Sequence, residues 1–179
     1  MLAELKNKSL REGLSDFEWQ TVASTSALSY GAALSQHVSG IRLISVNFAR
    51  HEVGFAIEGA LAGWMVPTVQ SLVEALDLPH GWDSYGGKAI DPRCIAAALE
   101  MLMRVMRKNT PKPAVVPTSR GGIQLEWHTR GVDLEVEFLS PTHVRGLFGD
   151  LRAGTELESD LSFDQRPLTD AIGRLSLPA

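Results

Sequence analysis

From Gly121 to Phe138 the sequence GGIQLEWHTRGVDLEVEF alternates apolar and polar residues on either side of Arg130-Gly131. A period of two belongs to a strand that buries one face, and a two-residue loop containing glycine makes a hairpin turn. The register follows from the turn. Thr129 faces Val132, Trp127 faces Leu134, Leu125 faces Val136 and Ile123 faces Phe138, all on one apolar side. On the other side His128 meets Asp133, Glu126 meets Glu135 and Gln124 meets Glu137. A slip of one residue would turn every apolar side chain outward, so the pattern specifies one pairing.

The apolar side needs a cover. Asp91–Lys108 supplies it as a helix: Asp91 is an N-cap, Pro92 takes the first helical position, and Asn109 and Pro111 stop it. Ile95, Ala98, Leu99, Leu102, Val105 and Met106 form its apolar stripe. Four short strands are predicted after it, at Ala114–Thr118, Gly122–His128, Val132–Phe138 and His143–Phe148. Tight turns at Ser119–Gly121, Arg130-Gly131 and Ser140-Pro141 make a meander the simplest topology. Thr155–Ser162 reads as a further edge strand, and Pro167–Leu175 as a short terminal helix. Pro67–Leu76 reads as a helix through Val69, Leu72, Val73 and Leu76.

Upstream the pattern is weaker. Met1–Leu14 suits a short helix. Thr21–Ser39, rich in Ser and Ala, suits either a poorly ordered arm or a helix packed through Leu28, Tyr30 and Leu34. Ile41–Phe48 and Glu52–Glu58 suit a strand pair across Ala49-Arg50-His51. The expected class is α+β: an antiparallel meander of about four strands packed on one main helix, with an additional N-terminal α/β segment. The expected division is residues 1–60, with a strand pair at 41–58, and residues 61–179, with helix 91–108 and sheet 114–148.

With 179 residues, 44% hydrophobic and 21% charged, the chain suits one soluble domain, or one with an extra N-terminal segment. A net charge of −4 argues against indiscriminate nucleic-acid binding. Residues 91–112 nevertheless carry five basic residues against two acidic. Arg104, Arg107, Lys108 and Lys112 fall at the expected helix end, where cations complement the dipole; phosphate binding is the alternative. Cys94 is the single cysteine, which excludes an internal disulfide and a cysteine-built metal site. It suits a packed small hydrophobe, or a thiol whose pKa the helix N-terminus lowers. The N-terminus is too charged for a secretory signal. No apolar run reaches the ~20 residues of a membrane span; the longest candidate, Val53–Val66, is broken by Glu58 and three glycines. The expected compartment is the cytoplasm.

Two motifs stand together: LPHGWDSYGG at 78–87, then, after the helix and a proline-rich link, VVPTSRGGIQLEW at 115–127. Over residues 78–138 the chain resembles a widespread group of small uncharacterised bacterial proteins sharing a GWDSYGG-type loop, a helix and a GGIQLEW-type strand. The resemblance implies a bacterial or phage origin and assigns no chemistry.

Familiar catalytic signatures are missing: there is no GxGxxG loop, no Walker A sequence, no HExxH and no CxxC pair. Ala27-Leu28-Ser29-Tyr30-Gly31 only loosely imitates a nucleophile elbow. The GWDSYGG loop has two readings. Trp82 and Tyr85 lid the core while Asp83 binds loop N–H groups, or the loop presents an aromatic-flanked carboxylate to a ligand. His80 is either exposed or an acid–base partner of Asp83. The polar side of the hairpin is an anomaly, because like charges opposed across a ladder destabilise it by some tenths of a kcal/mol. Glu126 opposes Glu135, with Glu137 and Asp133 nearby, and Arg145 is expected opposite Glu137. The face is therefore solvated and balanced by Arg145 and Arg130, or holds a divalent metal on Glu126 and Glu135, or docks a basic protein.

The leading expectation is a non-enzymatic interaction module of the antitoxin, immunity or inhibitor type. It would bind a protein partner, one with a basic surface, through Trp82, Asp83, Tyr85, Glu126, Asp133, Glu135 and Glu137. One alternative is a metal-dependent hydrolase or nuclease using Glu126, Glu135, Asp83 and His128. Another is a nucleic-acid binder through Arg104–Lys112. No catalytic residue and no cofactor is assigned. Neither nucleic acid nor membrane is the expected partner, and self-association stays open.

Overall fold

The structure, a computed structural model, describes residues 3–5, 34–38, 41–48, 51–58, 61–150 and 154–178. The chain divides into two units, 1–61 and 62–179. In the first, β1 (Ala3–Leu5), β2 (Leu34–Val38), β3 (Ile41–Phe48) and β4 (His51–Glu58) form an antiparallel sheet in the order β1-β4-β3-β2. The expected 41–58 pair is present, with Phe48 opposite His51, so the connection shortens to residues 49–50. Two expectations fail here. Ala3–Leu5 lies within the expected N-terminal helix and Leu34–Val38 within the expected arm or helix, yet both are strands. Their pairing explains it: Ala3 finds Phe55 and Leu34 finds Ser45, so the ladder overrides weak local preference. Leu28, Tyr30 and the Ala27–Gly31 motif lie outside the described residues.

The second unit runs α1 (Met65–Ala75), α2 (Pro92–Val105), β5 (Ala114–Pro117), β6 (Ile123–Thr129), β7 (Val132–Ser140), β8 (His143–Asp150), β9 (Thr155–Asp160) and α3 (Arg166–Leu175). The sheet is a meander, β5-β6-β7-β8-β9, with five strands rather than four. Every hairpin pair expected from the alternation is present, from Thr129–Val132 to Ile123–Phe138. Arg145 does stand opposite Glu137. Ile123, Leu125, Trp127, Leu134, Val136 and Phe138 are buried, as are Ile95, Leu99 and Leu102. The cover is larger than one helix: α2 lies against β6 and β7, α1 against β5 and α3 against β7. A sheet of five strands exposes more apolar width than one helix of about 10 Å can span.

Helix α2 begins as expected, with Asp91 accepting from the Arg93 N–H at 2.9 Å. It ends at Val105 rather than Lys108, because Met106 turns extended at ψ 140°. Carbonyls of the following link are taken by indoles: Trp64 Nε1 donates to Arg107 O at 3.1 Å and Trp127 Nε1 to Pro111 O at 2.9 Å. The Thr110 hydroxyl accepts the Arg107 N–H at 2.9 Å. Arg107, Lys108 and Lys112 therefore lie beyond the helix, and only Arg104 sits in its last turn. The expected basic cap is reduced to one residue.

At the hairpin turn both Arg130 and Gly131 have positive φ, 55° and 74°, as a type I′ turn requires. The arginine is held there by its guanidinium, which donates to Leu175 O and Leu177 O at the end of α3. Arg130 thus faces the last carbonyls of a helix instead of balancing the acidic face.

Candidate functional site

The loop before α2 is built around one carboxylate. Asp83 accepts from the N–H of Tyr85 at 2.9 Å and of Gly87 at 2.7 Å. Those bonds, with the Ser119 hydroxyl, hold its carboxyl below the ordinary range. Gly81 donates to Gly87 O at 2.7 Å, closing the loop on itself. A Cβ at Gly87 would lie 2.7 Å from the Asp83 carboxyl carbon, so the glycine makes room for the carboxylate. Trp82 is half-buried and its indole donates to Lys88 O at 3.1 Å. Tyr85, at the tip, is 95% exposed. The loop is fastened to the β5–β6 turn through Lys88 N to Ser119 O and Asp91 N to Gly121 O, both 2.9 Å. Trp82 and Asp83 are thus engaged by the loop's own frame. Among the described residues His80 is exposed and is not a partner of Asp83.

The outer face of the sheet gathers the other candidates. In cross-strand rows, Ala114, Glu126, Glu135, Leu147 and Glu158 follow one another. The neighbouring rows run Val116, Gln124, Glu137, Arg145 and Asp160, and His128, Asp133, Gly149 and Glu156. Seven carboxylates thus share one face with Arg145, the only arginine or lysine within the five strands. The alternation of TELESD carries the missed half of this face: Glu156, Glu158 and Asp160 point the same way as Glu135 and Glu137.

The opposed Glu126 and Glu135 are bridged by a neutral donor. Gln124 Nε2 donates to Glu126 Oε1 at 2.8 Å and to Glu135 Oε2 at 3.0 Å. His128 lies between Glu126, 3.2 Å from Nε2, and Asp133, which bonds Nδ1. Glu126 first, then Asp133, raise the imidazole pKa above its ordinary value. Arg145 donates to Glu137 at 2.6 Å and sits 3.5 Å from Glu158. Glu126, His128 and Glu135 each offer a ligand atom within 4.8 Å of the others. Asp83, the fourth member of the expected metal set, is held in the loop instead. Cys94 is buried, and burial pushes its thiol pKa up, opposite to the lowering a helix N-terminus could give.

Among the described residues no helix is long and apolar enough to cross a membrane. Comparison with family models, curated proteins and solved structures finds no match.

Proposed function

We propose that this chain is a non-enzymatic interaction module, of the antitoxin, immunity or inhibitor kind, that binds a basic protein surface through the outer face of its five-stranded sheet. One observation carries the reading: seven carboxylates line a single sheet face whose one arginine is already paired with Glu137. Such a surface attracts a cationic partner over a Debye length and repels nucleic acid and copies of itself. Tyr85, exposed at the loop tip, supplies an aromatic contact that costs little side-chain entropy.

The test is kinetic. The partner is isolated from the source cell, and its association rate is measured at low and high salt. Glu126→Lys with Glu135→Lys should slow association about tenfold or more at low salt and flatten the salt dependence. Folding should survive, because neither side chain belongs to the core. Tyr85→Ala should weaken binding without loss of stability, whereas Trp82→Ala removes an indole bond that frames the loop. A partner indifferent to the double reversal and to Tyr85→Ala would sink the proposal.

A second reading rests on the convergence of Glu126, His128 and Glu135: a divalent cation held there would serve a hydrolase or nuclease. Two carboxylates and an imidazole suit a transition metal better than Mg²⁺, which prefers oxygen ligands and keeps its waters.

A further inference from the structure

We infer that the partner enters as a sixth strand: an extended segment of alternating basic and apolar residues pairs with the free edge of β9. This rests on the acidic-face reading above and names the form of the partner. Among the described residues β9 pairs with β8 alone. The Leu161 N–H donates to Val144 O at 2.8 Å, in register with the ladder in which Asp160 stands opposite Arg145. In an antiparallel ladder, backbone groups of alternate residues point to the same side. Thr155, Leu157 and Ser159 therefore bond toward β8, and the N–H and C=O groups of Glu156, Glu158 and Asp160 point to the open edge. The three acidic residues thus carry both the free backbone groups and the negative side chains.

The two faces of β9 specify different chemistry. On the outer face an added strand, about 4.8 Å away, would set every second side chain beside Glu156, Glu158 or Asp160. Lysine or arginine fits there. On the inner face Leu157 is 57% exposed. It lines a groove of about 590 Å³ between β8–β9 and α3, whose walls mix apolar Phe148, Pro167 and Ala171 with charged Asp164, Arg166 and Arg174. The intervening side chains of the added strand would lie along this face, and an apolar one beside Leu157 would cover it. A second copy of β9 would set acid against acid, so the same residues that attract a basic strand disfavour self-pairing.

The probe is a lysine–valine heptapeptide of strict alternation, added at millimolar concentration to the full chain and followed by amide hydrogen exchange. The N–H groups of Glu156, Glu158 and Asp160 should slow about tenfold or more at saturation. A peptide of the same composition in two blocks should not protect them. Glu158→Ala and Glu158→Pro remove the same charge, but only proline removes an edge N–H, and it leaves the β8 ladder intact. The proline variant should bind the alternating peptide several-fold more weakly than the alanine variant. Equal binding by the two variants, or equal protection by the block peptide, overturns the edge. Peptide binding that perturbs Glu126 and Glu135 without protecting β9 also overturns it, while leaving the acidic-face reading intact. No binding by either peptide overturns the edge and counts against the face as well.

Discussion

Leu125 and Glu126 are neighbours in sequence and opposites in energy, and replacing each by alanine separates the two faces of the sheet. Leu125 is 1% exposed, beneath the helices and opposite Val136. Leu125→Ala deletes the equivalent of three methylenes, about 2.4 kcal/mol of transfer free energy at about 0.8 kcal/mol each. The cavity left in a close-packed core raises the total to about 3–5 kcal/mol. Against a domain stability of about 5–15 kcal/mol this is a large fraction. Glu126→Ala removes one acceptor of the Gln124 amide and an exposed contact to His128, but also one of two opposed negative charges, so the net change should stay within about 1 kcal/mol. Urea unfolding followed by tryptophan fluorescence measures both, with an unchanged m-value needed to read the midpoints as stability. A loss below about 1 kcal/mol for Leu125→Ala, or a larger loss for Glu126→Ala than for Leu125→Ala, would refute the facial assignment.

His128 gives a pH prediction. Its folded pKa is raised by Glu126 and Asp133, so its stabilising contribution is full below the unfolded value of about 6.5 and fades as pH rises through the folded value. The stability difference between wild type and His128→Gln should therefore shrink as pH rises above about 6.5, and a difference that stays flat or grows with rising pH would contradict the ion cluster. For the metal reading the discriminating measurement is thermal: with no cation site, millimolar Mn²⁺ or Mg²⁺ leaves the melting temperature of the native chain unchanged. A rise that Glu126→Gln abolishes would instead assign Glu126, His128 and Glu135 to a metal.

The parts of this fold legible in sequence are those whose partner lies next door. The β6–β7 pair carries its own register, because a two-residue turn joins two alternating runs. The start of α2 is written in Asp91-Pro92, a cap and a preset φ. Its end is not legible, because Trp64 and Trp127 reach the link from other elements. The same distance hid Arg130, whose bonds run to Leu175 and Leu177. Within the candidate site the opposed glutamates were visible, but the Gln124 bridge depends on side-chain direction, and the share of β9 depends on its joining the same sheet. β1 was out of reach because its register is set by β4, some fifty residues away.

The order β5-β6-β7-β8-β9 is also the order of synthesis. Each strand after the first docks on the one made just before it, so none waits for a segment still inside the ribosome. A ribosome adds about 5–20 residues per second, while a hairpin closes in about 1–10 μs. Every new strand thus meets a finished template and can settle before its successor emerges. During that growth the leading edge of the sheet is the place where nascent chains could join one another. The last strand of the sheet carries Glu156, Glu158 and Asp160, so completing the sheet replaces a growing edge with one that repels its own kind.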